Sequence, residues 1–200
     1  IADASNDTMA NGSGLCSDPT SLNSYNLCGL PIPQGALALP KDRNANTYYL
    51  FHEEYDINDS LSRPNRLMVS VIDMNMNNGL GAVVEKSSTL FSDRLTIGCI
   101  TACRHANGRD WWVFVQRSFS NLFYRILVTP YGISVFSQNA GSVPLFNSFS
   151  GQSCFSPDGT KYAHFDQLNG LTLFDFDRCN GLLSNPRYIT QQNLGATSIS

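Results

Sequence analysis

Apolar residues fall in short runs along the chain, four to nine residues long, and each run is bounded by Gly, Pro, Asn or Asp. Val, Ile, Tyr, Phe and Trp dominate these runs, and no window keeps the three-to-four spacing over the length a helix needs. Three stretches share one order of events: "LPKDRNANTYYLFHEE" (39–54), "CRHANGRDWWVFVQRS" (103–118) and "FSPDGTKYAHFDQ" (155–167). Each passes from a small or apolar run through a polar turn into an aromatic-led run that ends on Phe51, Phe114 or Phe165.

Each is followed by a further extended run, "LMVSVIDM" (67–74), "LFYRILVTP" (122–130) and "LTLFDFD" (171–177). A fourth follows at 82–91 and 132–139, and a weaker one, "PRYIT", closes the third unit. Four short strands per unit, repeated about every 50 to 60 residues, predict an all-β chain of β-propeller blades. The expected layout is a blade at 36–92, a second at 93–141 and a third at 150–190. Residues 1–35 read as the end of a preceding blade plus a Gly/Pro/Ser/Asn-rich insertion, and 191–200 as a tail or lead into a further blade. Three blades do not close a ring of about four to eight. The expectation is an arc of a larger propeller, and the opening "IADASNDT" without Met fits an excised piece of a longer chain. A β-sandwich is the competing all-β fold, but it would lack the shared turn-plus-aromatic signature.

Turn chemistry assigns the polar halves of these units. Asn107 and Gly108 make a strong two-residue reversal, and Pro157, Asp158 and Gly159 hold the same place in the third unit. Trp111 and Trp112 are adjacent and must point to opposite faces. With neighbouring blades on both sides, both are expected in the core with Phe51, Phe114 and Phe165.

Composition narrows the function classes. The 200 residues carry 13 basic and 16 acidic side chains, a formal charge of -3, with no basic run to grip a phosphate backbone. Nucleic acid is therefore not an expected partner. No apolar run reaches the roughly 20 residues that cross a bilayer as a helix. Of six cysteines none forms a CxxC pair, so a zinc knuckle is not expected. Cys16 and Cys28 sit in turn-rich sequence and could close a disulfide loop, or stay free.

Candidate chemistry is sparse. His105 with Asp110 could be an acid/base pair, but no nucleophile accompanies them, and a hairpin role is favoured. "HEEYD" (52–56) lacks the His-Glu-x-x-His spacing of a zinc peptidase and reads as a solvated turn. A carboxylate pair there for glycoside cleavage is a matter of spatial separation. Asp73, Asn75 and Asn77 in "DMNMNNGLG" resemble the first half of a calcium loop, but the glycine falls at the seventh place rather than the sixth. "DFDRCNG" (175–181) recurs at the matching place of the third unit, which favours a turn. Asn6, Asn11 and Asn58 stand in Asn-x-Ser/Thr triplets. No cofactor motif is present.

At "PQGALALP…YYLF", "VIDMNMNNGLG", "TACRHANGRDWWVF" and "FSPDGTKYA…LFDFDRCNG" the chain resembles a family of secreted or surface-attached β-propeller proteins of Bacteroidota. The "FSPDG" element is shared more widely with WD40-like propellers. Members often carry C-terminal domains for type IX secretion or gliding-motility-associated export. The resemblance implies an extracellular or outer-surface location and a binding or scaffold role. Cys103, Cys154 and Cys179 depart from the family's usual residues. It also implies O-glycosylation of Asp-Ser/Thr-hydrophobic triplets, at Thr8 and Ser60.

The expected function is thus a non-catalytic module for binding, adhesion or assembly. Its partners would be other blades of the parent, surface proteins or glycans. The alternatives are a glycan-active hydrolase or lyase with carboxylates on blade loops, and a purely structural module.

Overall fold

Wherever aromatic and β-branched residues alternate with polar ones, the chain is extended, and wherever Asn, Asp and Gly cluster, it reverses. The structure, a computed structural model, describes residues 1–15, 32–41, 46–55, 63–145 and 151–189. Among these described residues are twelve strands in three four-stranded antiparallel sheets, each ordered as its strands occur in sequence. This is the meander of propeller blades. The chain divides into two compact units, one of residues 1–31 and 36–93, the other of 32–35 and 94–200.

The first unit holds β1 (Ala36–Pro40), β2 (Thr47–Tyr55), β3 (Pro64–Asp73) and β4 (Ala82–Ser92). Phe51 lies opposite Leu37 on one side and Val69 on the other, and is fully buried. The N-terminal run lays Ala10 beside Ala82 as a parallel bridge, with Val83 N–H donating to Ala10 O at 2.9 Å. That bridge seats Met9 on Ile72 and Val83 to form a small core. Thr8 is exposed; Ser60, Asn58, Cys16 and Cys28 lie outside the described residues.

The solvated turn expected at "HEEYD" is corrected. β2 runs on through His52, Glu53 and Glu54, all buried, with Glu54 at 0% exposure. Buried carboxylates need compensating cations. β3 supplies one, with Arg66 Nε 3.2 Å from Glu54 Oε2. His52 is held below the usual histidine range because burial disfavours its charged form.

The connection from β3 to β4 is a turn. Asn77, Asn78 and Gly79 all have positive φ there, and Asp73 Oδ1 accepts from the backbone N–H and side-chain amide of Asn75. Asp73 is thereby spent on closing its own loop.

The second unit holds β5 (Thr101–Arg104), β6 (Trp111–Gln116), β7 (Leu122–Thr129) and β8 (Gly132–Asn139) in one sheet. Its other sheet is β9 (Gly151–Phe155), β10 (Lys161–Asp166), β11 (Gly170–Asp177) and β12 (Leu182–Ile189). The fourth strand of this sheet starts four residues before the expected "PRYIT", at Leu182.

The two sheets share a core of Cys103, Trp112, Phe114, Phe123, Tyr162, Phe174, Phe176 and Leu183. Phe114 meets Phe155 and Phe176 edge-on at 5.6 and 5.4 Å, and Phe123 meets Tyr162 and Phe174 the same way. Each such pair contributes about 0.5–1.5 kcal/mol beyond the area it buries. Phe165 is buried on the opposite face of β10.

The expectation that both tryptophans are core is corrected for Trp111. Trp112 faces the shared core at 4% exposure, whereas Trp111 is half-buried with the Arg104 guanidinium 4.4 Å from its ring centroid. A planar cation covers that indole in place of apolar packing.

Candidate functional site

The β5–β6, β9–β10 and β11–β12 turns meet at one end of the second unit. Asn107 organises the first of them. Its Oδ1 accepts from the Arg109 and Asp110 N–H groups, and its Nδ2 donates to Asp110 Oδ2 at 2.8 Å. Gly108 takes φ 69°, the left-handed conformation the reversal requires. His105 Nδ1 accepts from Asn107 N–H and its ring stacks on Trp112 at 5.8 Å, so His105 and Asp110 each serve the hairpin. Hydrogen bonding from Arg109, with help from Asn107, holds Asp110 below the usual carboxylate range.

In the β9–β10 turn Asp158 accepts from Ser156 Oγ at 2.6 Å and from Thr160 N and Oγ1. Those bonds pull its pKa down to about 2. Pro157 and Gly159 complete the reversal, Gly159 at φ 69° with no room for a Cβ beside Cys103 Sγ.

Arg178 then ties the three turns together. It donates from Nε to Arg104 O at 3.0 Å and from NH1 to Asp158 O at 3.2 Å, while its own carbonyl accepts from Trp112 Nε1 at 3.0 Å. Its backbone and side chain are spent on those contacts, which leaves this end a staple.

The other end of the same sheets opens on a cavity of about 410 Å³. Phe123, Phe174 and Tyr188 form its aromatic wall, Val143 and Leu168 line its apolar side, and His164 and Asp166 are the imidazole and the carboxylate among its described lining residues. β10 positions both: residues two apart on a strand point the same way, so Tyr162, His164 and Asp166 share one face.

At the strand's end Asp166 Oδ1 accepts from the Leu168 and Asn169 N–H groups at 2.8 and 3.0 Å, which closes the β10–β11 turn. Oδ2 is not used in that turn. His164 Nδ1 lies 2.8 Å from Ser153 Oγ, directly across the ladder on β9. Among the described residues its other nitrogen, Nε2, has no hydrogen-bond partner, and His164 lines the cavity. Burial holds His164 below the usual histidine range, against the pull of the nearby Asp166 charge.

Tyr188, an exposed residue of the lining, accepts through its hydroxyl from Ser142 N–H at 2.7 Å. Among the described residues no group of three His, Cys, Asp or Glu is placed to hold a metal ion.

His164, Asp166 and Ser153 were not singled out by sequence reasoning. The available signal was the alternation Tyr162-x-His164-x-Asp166, polar groups at period two inside an otherwise apolar strand.

Fold and cavity together define a protein of β-propeller-blade sheets with a His/Asp cavity at one sheet end. No family model matches the chain, and no curated protein does. Among solved structures it is similar to the periplasmic gluconolactonase of Pseudomonas aeruginosa, at 18% identity and a TM-score of 0.41. That likeness covers 84% of this chain and 45% of the other, so the chain spans less than half the length of that protein. The non-catalytic module expected from sequence is corrected at this point, because the similar structure is that of a protein named as an enzyme. At that identity and TM-score the likeness transfers no activity, and any catalytic reading must stand on the cavity itself.

Proposed function

We propose that the protein is a carbohydrate-active hydrolase that cleaves an ester or lactone bond in the cavity lined by His164 and Asp166. The observation that carries this reading is that His164 and Asp166 line one aromatic-walled cavity, and among the described residues neither His164 Nε2 nor Asp166 Oδ2 has a hydrogen-bond partner. A cavity of about 410 Å³ suits a mono- or disaccharide-sized ligand. Aromatic faces with a few polar groups are the chemistry that holds sugar rings.

The reaction class follows from what lines the space. Glycoside cleavage uses two carboxylates, and Asp166 is the one carboxylate among the described lining residues. A uronate-cleaving lyase would gain from a cation beside its substrate's negative charge, and the described lining holds no Lys or Arg. Water attack on the acyl carbon of a neutral substrate needs only a proton acceptor and a hydrogen-bond donor, which His164 and Asp166 can provide between them.

An extracellular or outer-surface setting, membership of the Bacteroidota surface-propeller family, its export route and glycosylation of the exposed Thr8 belong to the same proposal. They are supported by the motifs quoted above.

The test is hydrolysis by the purified full chain of a panel of sugar lactones and O-acylated sugars. Turnover is expected, with His164→Gln lowering kcat by about 100-fold or more while the thermal midpoint moves little. No turnover on the panel, or full turnover by a folded H164Q protein, overturns the proposal.

A further inference from the structure

Behind His164 lies a buried chain of hydroxyls that ends in the protein. Tyr162 is fully buried, and its hydroxyl donates to Ser153 Oγ at 3.0 Å, its one hydrogen-bond partner among the described residues. Ser153, also fully buried, lies 2.8 Å from His164 Nδ1. Gln34 clamps Ser153 in place from the backbone side, its Oε1 accepting from Ser153 N–H at 2.8 Å and its Nε2 donating to Ser153 O at 3.1 Å.

The directions in this chain follow from counting protons. Burial pushes the Tyr162 phenol up, so it keeps its hydrogen, and Ser153 Oγ is the acceptor within reach. Ser153 then has one hydrogen to give, and His164 Nδ1 is the acceptor left for it. Reversing the chain would send Ser153's hydrogen to Tyr162 and leave the phenol's own hydrogen buried without an acceptor, which costs the full desolvation of that group.

We propose that the Tyr162–Ser153 chain fixes His164 as the tautomer protonated at Nε2, so that His164 donates to the substrate carbonyl oxygen and Asp166 is the base. The assignment of catalytic roles rests on the hydrolase reading above; the tautomer does not. In the step so defined, a water oxygen bonds to the acyl carbon and the carbonyl electron pair moves onto oxygen. That oxyanion takes the hydrogen bond from Nε2–H, and the water's proton passes to Asp166 Oδ2. The intermediate then collapses, the acyl–oxygen bond breaks, and the leaving alkoxide recovers the proton from Asp166. A neutral imidazole is the right donor here, since it polarises the carbonyl without needing to lose its proton. Ser153 and Tyr162 are positioning residues, because they act only through His164.

The tautomer is read by nitrogen-15 NMR of the full chain, without substrate, at pH 7. The chain has three histidines, so His164→Gln assigns the signals. The expected result is a proton bonded to Nε2 and an Nδ1 that accepts. Tyr162→Phe should keep that tautomer, because Ser153 still donates. Ser153→Ala should replace it with a mixture of the two, and should lower kcat with KM unchanged. A proton on Nδ1 in the native chain overturns the inference, as does an unmixed Nε2–H tautomer in S153A. Failure of the proposed function shows separately, as an absence of turnover on the substrate panel with the tautomer unaltered.

Discussion

At one end of β10 Asp158 spends both carboxylate oxygens on its own turn, and at the other Asp166 spends one. Both aspartates close hairpins by accepting backbone N–H groups, and each turn follows from local sequence. The difference lies in what surrounds them. Arg178 reaches from the β11–β12 turn to cover the Asp158 end, binding Arg104 O and Asp158 O. Among the described residues no such cover meets Asp166, which lines a cavity shared with His164. The same turn chemistry therefore gives a staple where a neighbouring cation fills the space and a candidate site where aromatic walls leave it open.

The strongest way to break this comparison is to change the two aspartates in the same manner. Asp166→Asn keeps an Oδ1 acceptor for the turn but removes the base, and should lower kcat by about 10²- to 10⁴-fold with the thermal midpoint nearly unchanged. Asp158→Asn should leave kcat where it is. Equal activities in the two variants, measured on the lactone and ester panel, would erase the functional difference between the ends.

A smaller effect of the opposite kind is expected at the stapled end. Gly181 has φ 67°, and a Cβ there would sit 2.7 Å from the Trp112 ring. Gly181→Ala should cost about 1–3 kcal/mol of stability, from overpacking and a left-handed backbone. Thermal melts should show the loss, and turnover below the melting range should match the native chain.

How much of this could be read from the chain alone divides along the same line. The stapled end is written in contiguous residues, Asn107–Gly108 and Pro157–Asp158–Gly159, because turn chemistry is local. The strands and their grouping in fours were also local, carried by aromatic and β-branched runs. The cavity is not local: it needs Phe123 from β7 and the 140–145 stretch against His164 and Asp166. The residue that clamps Ser153, Gln34, is 119 positions away. Burial of Glu53 and Glu54 was hidden for a similar reason, since Arg66, which pairs with Glu54, lies on the following strand. Trp111 and Trp112 could not be ranked by alternation, which sets their faces and says nothing of what covers each face.

The smallest expected difference between the two ends is in how each loses stability to acid. His164 has a folded-state pKa lowered by burial, so the unfolded chain takes up its proton first as pH falls. Its contribution is complete above the ordinary histidine value of 6.5 and declines as pH drops below it. His52, lowered in the same way, adds to that limb, so His164→Gln should flatten it only in part. Asp158 acts further down. Its pKa is depressed to about 2 from an ordinary 3.8, so its contribution is present above 3.8 and disappears as pH falls through about 2. Asp175, held at about 2 by Lys161 and Asn185, declines over the same window, so Asp158→Asn should remove only its share. Denaturant titrations across pH would resolve the two limbs. If H164Q altered the acid-most limb, or D158N the one beginning near 6.5, the two ends would be coupled rather than separate, and the division between staple and site would fail.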